Sequence, residues 1–164
     1  MTQIHIDRAG AVDARDMAEL LNEIIKIGGT TAYQRQRSKD DMIEKMQSGG
    51  ARSVWHVARD DRGTLMGFQW VAPMSDDHPE AAIIASFVRV GATGLGIGSK
   101  LFDATRTAAA KEGFDWIDAT IRADNESGLT YYQSRGFETY KTDPTAQLSD
   151  GTIVGTISKR YDLK

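Results

Sequence analysis

Two apolar periodicities alternate along the chain, and the switches between them mark out its elements. From Gln3 to Asp7, Ile4 and Ile6 fall on one face, the period-two pattern of a short strand. From Asp13 the spacing becomes Met17, Leu20, Leu21, Ile24 and Ile25, which is helical, and Gly28-Gly29 stops it. Ser38 reads as the N-cap of a second helix carrying Met42, Ile43 and Met46 and ended by Gly49-Gly50. The stretch VWHVARDDRGTLMGFQWV predicts a hairpin about the polar turn Asp60-Asp61-Arg62-Gly63. A polar loop containing Pro79 is expected from Met74 to Glu80. The strand Ala81 to Val90 follows, AAIIASFVRV, apolar enough for a sheet interior. A helix is expected from about Ile97 to Glu112, with Leu101, Phe102, Thr105 and Ala109 inward and Gly113 as its stop. Phe114 to Ile121 reads as a strand and Glu126 to Ser134 as a helix ended at Gly136. Two last strands surround Phe137–Tyr140 and Thr152–Tyr161. The pattern is mixed α/β, a single domain over residues 1–164 without internal repeats.

Composition narrows the function. The formal net charge of −3 argues against a nucleic-acid partner, because phosphate binding wants a basic face. With no cysteine, disulfides, thiolate metal sites and a cysteine nucleophile are excluded. His5 and His56 read as strand residues outside any metal-binding spacing, so no metal is expected. No apolar run approaches the ~20 residues that span a bilayer, and the N-terminus lacks a signal-peptide pattern. A cytoplasmic protein without membrane contact is expected.

The chemistry concentrates in FVRVGATGLGIGSKL, where Gly91, Gly94, Gly96 and Gly98 precede a helix. A nucleoside-triphosphate loop of the GxxxxGK[ST] type fails, since Ser99 takes the second glycine position and Leu101 the hydroxyl one. A dinucleotide fingerprint fails at its third glycine, again Ser99. What fits is a strand, a short loop and a helix whose first amides face a pyrophosphate, helped by the helix dipole. A plain flexible turn accounts for the glycines equally well at this point.

Downstream, Asn125 opens NESGLTYYQSRGFE. Together the two stretches closely resemble the GNAT superfamily of N-acetyltransferases. One signature falls on Thr93-Gly94-Leu95-Gly96-Ile97-Gly98, and the other on Asn125, Gly128, Tyr132 and Gly136-Phe137. Thr93 stands where the family usually has Arg or Gln, and Val90 where Pro is common. More locally, IIKIGGTTAYQ resembles a loop of the phosphinothricin-acetyltransferase-like branch, which acetylates small amino-acid analogues.

The resemblance implies a mostly antiparallel sheet of about six or seven strands flanked by about four helices. Within it a splayed parallel strand pair holds coenzyme A. Acetyl-CoA is the implied co-substrate. Backbone groups of Val88 and Val90 would bond the pantetheine arm, and the amides of Leu95, Gly96, Ile97, Gly98 and Ser99 the pyrophosphate. The Asn125 side chain would bond the cofactor arm, unless it is an ordinary helix N-cap. Tyr132 falls on the general-acid position, where a phenol protonated at neutral pH can protonate the departing thiolate. A backbone N–H near Val88 would steady the oxyanion. Tyr131 is expected to pack.

Relatives often carry a base on the strand before the glycines, near Ile83 or Ile84 here, but AAIIASF has no acid. The candidates left are ordered water or Asp76, Asp77, His78 and Glu80. The acceptor pocket is expected between Thr30–Arg37 and Met74–Pro79, with Thr31, Tyr33, Arg35, Arg37 and His78 as its residues. Arg35 and Arg37 suit a substrate carboxylate. Trp55, Phe68 and Trp70 read as core.

The leading expectation is transfer of acetyl to a primary amine of a small molecule, by direct attack in a homodimer. The alternatives are a protein or peptide N-acetyltransferase and a non-catalytic coenzyme A-binding module.

Overall fold

The computed structural model describes residues 2–92 and 95–164, so the Thr93-Gly94 part of the glycine signature lies outside the described residues. The elements follow in the order β1 (His5–Arg8), a 3-10 turn (Ala11–Asp13), α1 (Ala14–Ile27), α2 (Lys39–Ser48), β2 (Val54–Arg59) and β3 (Leu65–Ser75). After them come β4 (His78–Val88), α3 (Ile97–Lys111), β5 (Trp116–Arg122), α4 (Glu126–Ser134), β6 (Glu138–Asp143) and β7 (Thr156–Asp162). All seven strands join one sheet, in the order β1-β2-β3-β4-β5-β7-β6. Every neighbouring pair is antiparallel except β4 with β5.

Local sequence explains where the helices begin and end. The Ser38 hydroxyl accepts the Asp41 amide at 3.0 Å while the Asp41 carboxylate takes the Ser38 amide at 2.8 Å, a reciprocal cap that starts α2. Asn125 caps α4 through its side chain alone, its Oδ1 accepting the Gly128 amide at 3.0 Å. Gly96 caps α3 without any side chain, in the left-handed region (φ +67°) that favours glycine.

The expected polar loop Met74–Glu80 is shorter than the sequence suggests. β3 runs on to Ser75 and β4 begins at His78, leaving Asp76 and Asp77 as the turn. Both faces of this hairpin tip are open to water, so apolar alternation has nothing to mark there. Pro79 sits where the ladder skips between the pairs Pro73–Ala82 and Ser75–His78, and so costs no ladder hydrogen bond. β4 also ends at Val88, which leaves Val90 beyond it and exposed.

Side-chain alternation divides the core between the two faces of the sheet. On one face Met17, Leu20, Leu21 and Ile24 of α1 and Met42 of α2 pack against Trp55, Val57, Phe68, Trp70 and Phe87. On the other, Phe102 and Ala109 of α3 and Tyr132 of α4 pack against Val71, Ile84, Ile117, Ala119 and Ile121. The helices of the first face stop short of β5, β7 and β6, where Tyr140 meets Trp116 edge to face and Arg160 lies over the Trp116 ring instead. No helix among the described residues is long and apolar enough to cross a membrane.

Candidate active site

The parallel pair is brief. β4 and β5 are in register at Ala81–Trp116, Ala82–Ile117 and Ile83–Asp118, and no further pair follows although both strands continue. From Ile84 to Val88, β4 is hydrogen-bonded to β3 alone. The Arg89 amide bonds the Met66 carbonyl on the β3 side at 2.8 Å. Backbone groups alternate in direction along a strand, so those of Val88 point the other way, into the gap. A row of unpaired amides and carbonyls thus borders an opening between two strands, the kind of edge that accepts one more extended chain.

The helix α3 starts at the mouth of this opening. Its amides at Ile97, Gly98 and Ser99 precede the first intrahelical bond, Lys100 N–H to Gly96 O at 3.0 Å. A Cβ on Gly96 would meet nothing within 4 Å, so that side of the turn is open. Gly98 differs: a Cβ there would lie 2.6 Å from the Tyr131 ring. The absence of a side chain at Gly98 makes room for a tyrosine of α4.

Four polar side chains meet on the same side of the sheet, under α3 and α4. Tyr132 reaches from α4 across the gap to Ser86 on β4, with 2.7 Å between the two hydroxyl oxygens. Gln69 on β3, fully buried, donates through Nε2 to Ser86 Oγ at 2.7 Å and to the Tyr131 hydroxyl at 3.0 Å. Tyr131 in turn donates to the Gly98 carbonyl at 2.7 Å. Burial pushes both phenols up, Tyr131 to about 12 and Tyr132 further, while the Gln69 and Ser86 hydrogen bonds pull the other way. The reading of Tyr131 as packing captures its ring but not its hydroxyl. Neither Gln69 nor Ser86 stands out in the sequence. A glutamine at the centre of the apolar run GFQWV was the available signal.

On the other face of the sheet a pocket of about 350 Å³ opens beside β4. Trp55, Trp70, Phe87 and Tyr33 form its apolar wall, and Arg35, Arg37, Lys45, Asp41 and Glu44 carry charge around it. Trp55 and Trp70 are therefore both core and pocket wall, stacked at 5.5 Å between ring centroids. Arg37 is pinned at its backbone, its amide donating to Asn22 Oδ1 and its carbonyl accepting from Asn22 Nδ2, each at 2.8 Å. Its guanidinium lies 4.7 Å from the Tyr33 ring centroid, and its buried Nε has no partner among the described residues.

The loop between α1 and α2 roofs the gap. Arg122, at the end of β5, donates to the Thr31 carbonyl at 3.0 Å, and Asn125 Nδ2 to the Thr30 carbonyl at 3.1 Å. Gln34 is bonded to Ser149 and Asp150, and Tyr33 stacks on Phe87. The Asn125 side chain is thus occupied at both ends, by the α4 amide and by this loop. Tyr33, Arg35 and Arg37 line the pocket, whereas Thr31 lies outside its lining, its carbonyl taken by Arg122 and its hydroxyl by the Tyr33 amide. His78 is outside it too: it stands exposed at the start of β4, 3.2 Å from Glu80 Oε1, on the hairpin tip. The Met74–Pro79 segment supplies no wall to the pocket.

One carboxylate does reach the strand gap. Asp118 of β5 lies beside Ile83 on the pocket face, buried, accepting from the Tyr140 and Thr120 hydroxyls. It is missed by a search confined to β4. Among the described residues no group of three or more histidines, aspartates or glutamates is placed to hold a metal ion.

Comparison with known proteins bears on the family and on the fold. The sequence model of the acetyltransferase (GNAT) family matches residues 16–137. A mycothiol acetyltransferase of Propionibacterium freudenreichii is 33% identical over 88 residues, covering 53% of this chain and 28% of that protein. Another, of Streptomyces scabiei, is 34% identical over 80 residues, covering 48% and 25%. The chain thus spans about a quarter of the length of these curated relatives. Among solved structures, the yncA protein of Salmonella typhimurium with its cofactor acetyl-CoA superposes with a TM-score of 0.87. It is 17% identical, with 98% of this chain and 94% of that one covered. A phosphinothricin acetyltransferase of Sinorhizobium meliloti in complex with acetyl-CoA gives 0.85 at 20% identity, over 98% and 88%. At these identities the superpositions speak for the fold.

Proposed function

The chain belongs to the GNAT acetyltransferase family, and from that premise we propose that it moves acetyl from acetyl-coenzyme A to the primary amine of a small, anionic acceptor. The observation that carries the reading is the β4–β5 gap, open on one edge of β4 and capped by the free amides of α3. An extended pantetheine arm fits along Val88 and Val90, with its pyrophosphate on the amides of Leu95 to Ser99. Gly98 serves that cradle through its amide while its missing side chain accommodates Tyr131.

The acceptor occupies the pocket on the other face, whose volume suits a ligand of amino-acid size. Arg37 is the anchor for its carboxylate, pre-set by Asn22 and Tyr33, with Arg35 beside it. The aromatic wall takes its apolar part. The pocket opens to water, into which the ammonium loses its proton before attack. His78 and the hairpin tip are left out of the proposed site.

The amine nitrogen attacks the thioester carbon, and the C–S bond breaks with its electron pair on sulfur. Backbone amides near Val88 steady the oxyanion, an arrangement worth roughly 2.7–4 kcal/mol. Tyr132 hands its proton to the thiolate. Release of coenzyme A thiol would be followed against a panel of amino acids, their analogues, polyamines, aminoglycosides and short peptides. A signal with carboxylate-bearing small amines is expected. In Tyr132→Phe, kcat should fall about a hundredfold or more with coenzyme A affinity little changed. Unchanged turnover in that variant would remove Tyr132 from the chemistry, and a preference for peptides would displace the small-molecule acceptor.

A further inference from the structure

A serine backed by a fully buried glutamine reaches the candidate acid, and counting their protons shows what they do for it. Gln69 Nε2 has two hydrogens, and both are spent, one on Ser86 Oγ and one on the Tyr131 hydroxyl. The Tyr131 hydrogen goes to the Gly98 carbonyl. The Ser86 and Tyr132 hydroxyls then share one hydrogen bond between them, although each carries a hydrogen. When Ser86 donates to Tyr132, the Tyr132 hydrogen has no acceptor among the described residues. In a buried site such a hydrogen is costly until something arrives to take it.

We propose that Ser86, held by Gln69, is a positioning residue that turns the Tyr132 proton toward the thiol end of coenzyme A and steadies the phenolate left behind. The inference rests on the reading of Tyr132 as the acid at the cofactor sulfur. With Ser86 donating to the Tyr132 oxygen, the spare hydrogen is that of Tyr132, free for a group that enters the gap. When the C–S bond breaks, that proton moves to sulfur, and the phenolate keeps the Ser86 hydrogen bond. Ser86 loses no proton. The phenol is reprotonated from water after the products leave, balancing the proton the amine gave up. Gln69 strengthens the Ser86 donor by bonding its oxygen, since hydrogen bonds in a chain polarise one another. The same Gln69 amide reaches Tyr131, which is bonded to the first turn of α3, so one side chain joins the pyrophosphate cradle to the acid.

The test uses coenzyme A itself and needs no acceptor. The acidity of its bound thiol is read from thiolate ultraviolet absorbance against pH, in the wild type, Tyr132→Phe, Ser86→Ala and the double variant. A Tyr132 hydroxyl that reaches the sulfur stabilises the thiolate. Its loss should lower the thiol ionisation constant about ten- to a hundredfold. Ser86→Ala should lower it by roughly threefold to tenfold. The double variant should match Tyr132→Phe alone, because Ser86 acts only through Tyr132. Ser86→Thr, which keeps the hydroxyl, should restore wild-type acidity. If Tyr132→Phe shifts the thiol and Ser86→Ala does not, or if the two shifts simply add, Ser86 has no such role while Tyr132 keeps its own. If Tyr132→Phe leaves the thiol unchanged, the acid assignment fails and this inference with it. Absence of coenzyme A binding to the wild type would overturn the cofactor reading beneath both.

Discussion

Gly98→Ala tests what the glycine in the first turn of α3 is for. The added Cβ would lie 2.6 Å from Tyr131 Cε1 and 3.3 Å from Cδ1 and Cζ. Carbon atoms rest at about 3.5–4.0 Å, so the ring must retreat by roughly 1 Å. It has little freedom to do so, because its hydroxyl is bonded to the Gly98 carbonyl and to Gln69. Overpacking of this kind costs about 1–3 kcal/mol. Helix propensity alone has the opposite sign, since alanine is better than glycine in a helix by about 1 kcal/mol. Urea unfolding of Gly98→Ala, Tyr131→Ala and the double variant separates the two contributions, and titration calorimetry with coenzyme A adds the functional one. In the Tyr131→Ala background the Gly98→Ala change should become neutral or stabilising. If Gly98→Ala instead weakens coenzyme A binding equally in both backgrounds and leaves stability untouched, the glycine serves the phosphates and the ring-packing argument is wrong.

Two further predictions concern charge. His56 is buried, and desolvation, with the Arg8 charge adding to it, holds its pKa down at about 4, below the 6.5 of an exposed histidine. The unfolded chain therefore takes up this proton first as pH falls, and stability rises with pH between about 4 and 6.5. Going from pH 7 to 4.5 should cost about 2.5 kcal/mol through this group. His56→Leu should show a correspondingly flatter urea midpoint over that window, whereas parallel curves would show that His56 does not titrate this way. Arg37→Ala should raise KM for a carboxylate-bearing acceptor by about ten- to a hundredfold with kcat nearly unchanged, as expected for an anchor equally engaged before and during the chemistry. The fold should be untouched, because Asn22 holds only the backbone of residue 37. A fall in kcat at constant KM would move Arg37 out of the anchoring role.

Local signals made part of this molecule readable from its residues. Ser38, Asn125 and the glycines beyond the helices mark chain positions where a side chain or its absence must satisfy free backbone groups, and each does so here. The short-range motif around Asn125 fixed the range of α4 for the same reason. The hairpin tip at Asp76-Asp77 carries no strand pattern because water on both faces erases the alternation by which a strand is seen. What no local pattern conveys is which faces meet. Gln69 looks like an interruption of an apolar strand, yet its register opposite Ser86 gives it a partner that sits 17 residues away in the chain. Asp118 looks like the polar half of an alternating strand, and only the parallel register with Ile83 brings it to the gap. Asn125 makes the point in the other direction. Its cap was legible, but its second bond, to the carbonyl of Thr30, crosses 95 residues and ties the acceptor loop to the helix that carries Tyr132. The loop over the pocket, the acid beneath the gap and the helix that opens the phosphate cradle are thereby joined through side chains from β3, β4, β5 and α4. A substitution at any of those joints should be felt in both halves of the site, and that coupling is a property of the fold.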